Sequence, residues 1–262
     1  MGLRFATGAA ASDPRGILID LTEELDGIGN STAVQTLSTI NRGNGQHLIP
    51  APTAILSVTT GAIAVAFDAT LGRSIRNYVS AAAAVGLASV TYRPRLSPRA
   101  SVAGAPPDAV LPPGLVQTFS MPVRRTVAGT ARFQLGWAQA VTGMLDFVGT
   151  PAAAVWESDP AIFGGRWYPR IRFANAGAIT DGPDSGIAPT DWHNLGIRFI
   201  EATPRRMEWL LDGVPRFSVS GDANLLQLIS ALPGGYVHAA AVSAPAGSTW
   251  QSLGARWTVG EA

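Results

Sequence analysis

The 262-residue chain contains no cysteine and no lysine. Without thiols it has no disulfide framework, no thiolate nucleophile and no cysteine-bearing zinc site, so stability must come from packing or assembly. Without lysine it cannot form a Schiff base, and each of its 19 cations is a planar guanidinium fork suited to carboxylates or to stacking. Charge is scarce as well. Only 14% of the residues are charged and the formal net charge is +1, which supplies no long-range field to gather nucleic acid or anionic lipid. Long hydrophobic runs are also missing: residues 79–90 are too few, and too rich in alanine, glycine and serine, to span a bilayer. Residues 1–16 lack the continuous apolar segment of an export signal. These absences predict a protein with no signal peptide, no membrane insertion and no nucleic-acid partner, kept in the cytoplasm or assembled there into a particle. The sequon Asn30-Ser31-Thr32 then reads as a polar turn.

What is present is a 47% hydrophobic composition with 29 glycines and 19 prolines, a profile of many short strands joined by tight turns. Residues 1–47 mix short apolar pieces (Ile17, Ile19, Leu21) with turn-formers, and read as an N-terminal arm carrying irregular strands. From residue 48 to 262 the pattern is that of a β-sandwich. Ile63, Val65 and Phe67 alternate with alanines; Phe133, Leu135 and Trp137 alternate with Arg132, Gln134 and Gly136; Leu195, Ile197 and Phe199 alternate with Gly196 and Arg198. Residues 93–114 hold six prolines that deny the segment ladder donors, so it is a loop or a boundary. Residues 223–232 carry the one helical pattern, with Asp222 as cap and Gly234 beyond the end. Around Asp212-Gly213, a three-residue loop pairs Trp209 with Phe217, Met207 with Val219 and Leu211 with Pro215; a two-residue loop would set Trp209 against Arg216.

The segment WHNLGIRF, Trp192 onward, followed by MEWLLDG, Met207 onward, resembles the tandem strands of concanavalin-A-like (laminin-G-like) folds. In that family a Trp-His opens a core strand and the next strand ends in an Asp-Gly turn. The stretch from Gly45 to Phe67 is similar to the family's opening strands, and Ala255 to Gly260 to its closing one. The resemblance covers about two-thirds of the chain and implies an all-β, antiparallel two-sheet jelly roll with one short helix; by itself it implies no activity, because one fold hosts many functions.

Some hydrolases of this fold carry Glu-x-Asp-x-x-Glu on one strand, with the carboxylates as nucleophile and acid/base. Here Glu157-Ser158-Asp159 is the nearest match, its third position is Ile162, and Pro160 interrupts the strand. Asp159-Pro160 therefore reads as a turn, and no catalytic residue is assigned. His47, His193 and His238 have no partner at metal-ligand spacing, and His193 resembles the family's structural histidine. Asp181, Asp184 and Asp191 lie in a Gly/Pro loop that could offer oxygen ligands to Ca²⁺, or could simply form Asx turns. No Gly-x-Ser-x-Gly elbow, P-loop or His-Glu-x-x-His occurs. If Trp167 points inward, Arg166, Tyr168, Arg170 and Arg172 share the opposite face of their strand, where they can stack on sugars or grip carboxylates.

The expectation is a non-enzymatic structural or recognition module of a larger assembly, such as a tailed-phage virion protein decorating a head or tail. It is expected to form a homo-oligomer, to contact other structural proteins and to touch surface glycan. The competing readings are a carbohydrate-active hydrolase using Glu157 and Asp159, and a free soluble lectin.

Overall fold

A computed structural model describes residues 2–4, 17–22, 25, 51–57, 61–80, 86–93, 114–127, 132–138, 153–173, 178–221, 236–243 and 247–261. Among these residues the chain forms seventeen strands in two sheets, numbered in chain order, and every pairing is antiparallel. The antiparallel two-sheet β-sandwich that the resemblance implied is what forms. One sheet runs β1 (Gly2–Arg4), β2 (Ile17–Thr22), β17 (Arg256–Glu261), β7 (Leu115–Arg125), β12 (His193–Ile200), β13 (Arg206–Leu211), β14 (Val214–Ser220). It is extended beside β7 by β16 (Gly247–Ser252), β5 (Arg73–Ser80) and β4 (Gly61–Asp68). The other runs β11 (Thr180–Asp181), β10 (Trp167–Arg172), β9 (Ala153–Ser158), β8 (Arg132–Ala138), β15 (Tyr236–Ser243), β6 (Gly86–Arg93), β3 (Ala51–Ser57). Among the described residues no helix is long and apolar enough to cross a membrane.

Because strand side chains alternate between faces, the large apolar residues of each strand meet between the sheets. Phe119, Met121 and Val123 of β7, Leu195, Ile197 and Phe199 of β12, and Met207, Trp209 and Leu211 of β13 face Phe133, Leu135 and Trp137 of β8, Trp156 of β9 and Trp167 of β10 in one core. Six of the seven tryptophans are fully buried there. Two of them also bind the sheets polar-to-polar: Trp156 Nε1 donates to the carbonyls of Gly196 (3.0 Å) and Leu210 (3.1 Å), and Trp209 Nε1 donates to that of Val155 (2.8 Å). A buried indole N–H left without an acceptor would forfeit part of what the ring gains by burial, so these carbonyls set where the rings can sit.

Gly136 marks a close approach between the layers, since a Cβ there would run into the Ala154 carbonyl and come within 2.7 Å of Ile197 Cδ1. Gly136→Ala is expected to destabilise by about 1–3 kcal/mol through overpacking, read as a lower urea midpoint with an unchanged denaturant slope.

The β13–β14 hairpin departs from its expected loop. Leu211 pairs with Val214, so the loop is the two residues Asp212 and Gly213, both at positive φ (53° and 81°) as a type I′ turn requires. Trp209 still faces Phe217 and Met207 faces Val219, because the register shifts by one residue between Trp209 and Leu210 and leaves Arg216 as the extra residue of a bulge. The bulge does what the longer loop was expected to do: it keeps Arg216 off the tryptophan face.

The arm strands β1 and β2 join the larger sheet, β2 lying antiparallel to β17. Val65 of β4 is buried, while Phe67 of the same strand is exposed at the hairpin end. The helical pattern at 223–232, the prolines between 94 and 113, and His47 lie outside the described residues.

Candidate functional site

A cluster of charged and polar residues gathers on the outer face of the smaller sheet, across β8, β9 and β10. Trp167 and Ile171 of β10 enter the core, so strand alternation turns Tyr168, Arg170 and Arg172 to the opposite face. The register sets Tyr168 opposite Glu157 and Glu157 opposite Gln134. Glu157 is 0% exposed, and a buried carboxylate is tolerated only when its charge and lone pairs are answered. Three donors answer it: Arg132 hydrogen-bonds Oε1 through Nε (3.2 Å) and through Nη2, Gln134 Nε2 donates to Oε2 (2.8 Å), and Arg170 Nη1 donates to Oε2 (2.7 Å). Arg132 Nε also lies 2.8 Å from Asp159 Oδ2, and Arg170 Nε lies 2.8 Å from Asp181 Oδ1. The latter contact has ion-pair distance without hydrogen-bond alignment, since Arg170 Nε has no hydrogen-bond acceptor. Burial pulls the Arg170 pKa down, but Glu157 and then Asp181 more than offset it and hold the guanidinium above its ordinary value.

Tyr168 is fully buried and its hydroxyl has no hydrogen-bond partner among the described residues. Burial, then the charge of Glu157, push its pKa above the usual phenol value, with Arg170 opposing. The ring that reaches solvent is that of Phe163, which lies edge-on over Tyr168 with centroids 5.4 Å apart and is 39% exposed. Phe163 opens a short turn with Gly164 and Gly165, all three at positive φ, and the turn is tied down by Ser158 Oγ donating to the Gly165 carbonyl (2.5 Å).

The four residues expected to form one stacking face are thus placed unequally. Arg166 is exposed (47%) and pairs with Asp184, its Nε donating to Oδ2 at 2.7 Å. Arg170 is occupied by Glu157 and Asp181, Arg172 is half-buried, and Tyr168 does not reach solvent. Asp184 is held below the usual carboxylate range by its Arg166 hydrogen bond and by the Gly186 N–H, which donates to Oδ1 as in an Asx turn. Asp181, Asp184 and Asp191 are not brought together: two serve arginines of β10 and its flank and the third lies exposed at the loop's end. Among the described residues no group of three or more histidine, aspartate or glutamate side chains is placed to hold a metal ion.

The loop carrying these aspartates instead covers the edge of β10. Gly182 N–H donates to Pro169 O, Ser185 N–H to Trp167 O, and Trp167 N–H to Ile187 O, which satisfies backbone groups that an open edge would expose. His193 lies elsewhere, in the larger sheet. Its Nδ1 is 2.9 Å from Asp212 Oδ2, and since a carboxylate only accepts, Nδ1 carries the proton. Asp212 Oδ1 also accepts the Asn194 N–H (2.8 Å). The Trp-His and Asp-Gly segments that carried the resemblance are therefore physically joined, the histidine of one strand bracing the turn of the next. His238 falls opposite Gly136 in β15. Arg132, Gln134 and Phe163 were not singled out by sequence reading; the one signal for the first two was their alternation with Phe133, Leu135 and Trp137.

No protein-family model matches the chain, and no curated protein matches it in sequence. Among solved structures it is similar to an endo-1,3-beta-glucanase from Streptomyces sioyaensis, with 11% identity over 97% of this chain and 99% of that chain at a TM-score of 0.49. It is similar to the Emp47p carbohydrate recognition domain, with 9% identity over 95% of this chain and 98% of that chain at a TM-score of 0.47. It is also similar to peanut lectin, with 10% identity over 92% of this chain and 97% of that chain at a TM-score of 0.44.

Proposed function

We propose that the chain is a non-enzymatic recognition module of a larger assembly, a virion surface or tail component being the setting that suits it, and that it contacts glycan on the outer face of its smaller sheet. The observation that carries the non-enzymatic reading is the occupancy of Glu157: fully buried and bonded by Arg132, Gln134 and Arg170, it has no free face for a substrate. A nucleophile or acid/base must reach the reacting atoms within hydrogen-bond distance. The contact surface is assigned to the exposed Phe163 ring and to the exposed Arg166 three residues on, because an aromatic ring and a guanidinium together offer both stacking and donors to a sugar. The rival reading, a carbohydrate-active hydrolase, rests on Glu157 and Asp159 both meeting Arg132 on that same face.

A glycan array and a reducing-sugar assay on wild type, Glu157→Gln and Phe163→Ala separate the two. The expected result is no turnover by any of them, with glycan retention present in wild type and lost in Phe163→Ala. Turnover by wild type that disappears in Glu157→Gln would establish the hydrolase instead.

A further inference from the structure

Arg125 ends β7 on the face that Phe119, Met121 and Val123 turn toward the core. Its guanidinium carbon lies 5.9 Å from the centroid of the Trp250 ring, and Trp250 in turn stacks on Phe133 at 4.9 Å. A Cβ added to Gly165 would sit 2.7 Å from Arg125 Nη1, and the Arg125 backbone N–H donates to the Pro189 carbonyl. The side chain therefore stands between an indole wall and the turn at Gly165, while its backbone is held by the loop at Pro189. Its Nε is buried and has no acceptor among the described residues.

The neighbouring arginines are treated differently. Arg132 and Arg170 each meet two carboxylates and Arg166 meets one, whereas among the described residues no carboxylate stands in ion-pair contact with Arg125. Burial lowers the Arg125 pKa, which is the condition of a partly desolvated cation with no counter-charge among the described residues. A guanidinium presents donors in a planar fork that matches two oxygens of one oxyanion. Glycine at 165, at a φ of 84°, lets the turn approach Nη1 where a side chain would crowd it.

We propose that Arg125, set between Trp250 and the turn at Gly165, anchors a binding site for a ligand bearing a small oxyanion group, a carboxylate or a phosphate. The site is separate from the outer-face surface and does not depend on the glycan reading.

The test is calorimetric titration of the full chain with sodium phosphate, sodium glucuronate and neutral glucose, at constant ionic strength, with tryptophan fluorescence recorded in parallel. Wild type is expected to bind at least one of the two anions saturably and glucose not at all. Arg125→Gln should weaken that binding by about tenfold or more, as loss of a charge-assisted hydrogen bond implies. Arg216→Gln, which removes an exposed guanidinium on β14, should leave it unchanged. Phosphate alone binding would identify a phosphate ligand, and glucuronate alone a carboxylate such as that of an acidic sugar. Gly165→Ala, whose Cβ crowds Nη1, should also weaken binding and serves if Arg125→Gln fails to fold. No saturable binding by wild type, or equal binding by Arg125→Gln, would overturn the proposal.

Discussion

Replacing Glu157 with glutamine is expected to lower the stability of the chain by about 3 kcal/mol, near the lower end of what breaking a buried ion pair costs. The carboxylate is the shared acceptor of two guanidinium groups and one amide N–H. An amide in its place offers half the acceptor capacity, carries no charge, and turns donors of its own toward donors. The cost stays near the lower end because Arg132 keeps Asp159 and Arg170 keeps Asp181. Urea melts of wild type and variant measure the difference, and Asp184→Asn, which removes the charge of the exposed Arg166 pair and keeps an oxygen for the Gly186 N–H, should produce a much smaller effect. A neutral or stabilising change on Glu157→Gln is the signature of a carboxylate held in place for function at the expense of stability. Seeing it would count against the structural role assigned to this residue.

Trp209→Ala should cost still more, about 3–5 kcal/mol, the range of a large aromatic truncated inside a core that cannot collapse onto the gap. Trp209 is buried between the sheets, and its N–H reaches the Val155 carbonyl on the opposite sheet. Trp209→Phe keeps most of the apolar volume and drops the donor, so about 1–2 kcal/mol is expected there. Arg216→Ala on the facing strand should change stability by less than about 0.5 kcal/mol, because Arg216 is the bulged, exposed residue of the hairpin. Equal effects at 209 and 216 in denaturant melts would mean that the bulge is misplaced and the tryptophan face is not the buried one.

The sandwich was legible because alternation is a local property. Phe133, Leu135 and Trp137, or Leu195, Ile197 and Phe199, announce their buried face within one strand, and each of them is in the core. The hairpin shows where that reading stops. Pairing Trp209 with Phe217 and Met207 with Val219 followed from keeping apolar faces together, and a three-residue loop and a two-residue loop with a one-residue bulge share those pairs; they differ beyond the bulge, where Leu211 meets Val214 instead of the expected Pro215. The outer face was read to the same depth. Alternation put Tyr168, Arg170 and Arg172 opposite Trp167, while their burial is decided by groups from other segments: Phe163 over Tyr168, and Glu157 and Asp181 against Arg170. No local pattern encodes the meeting of Arg132, Glu157 and Arg170, which depends on three strands lying side by side in register. The loop aspartates stayed open between Ca²⁺ ligands and Asx-turn formers for the same reason: the arginine partners of Asp181 and Asp184 lie on or beside a different strand.

The pairing of β2 with β17 places Asp20 opposite Thr258, and β17 in turn lies against β7. A central part of the larger sheet is therefore assembled from segments near opposite ends of the numbering, which gives the fold a high contact order. Loop-closure entropy must be lost before such pairings return any energy, so the rate of folding is set by that late encounter. Until the strand at 256–261 arrives, the β7 backbone it covers is an open edge, and the nascent or refolding chain is most exposed to pairing with a neighbour at that edge. Refolding yield should accordingly fall with protein concentration more steeply than the equilibrium stability of the finished sandwich would suggest.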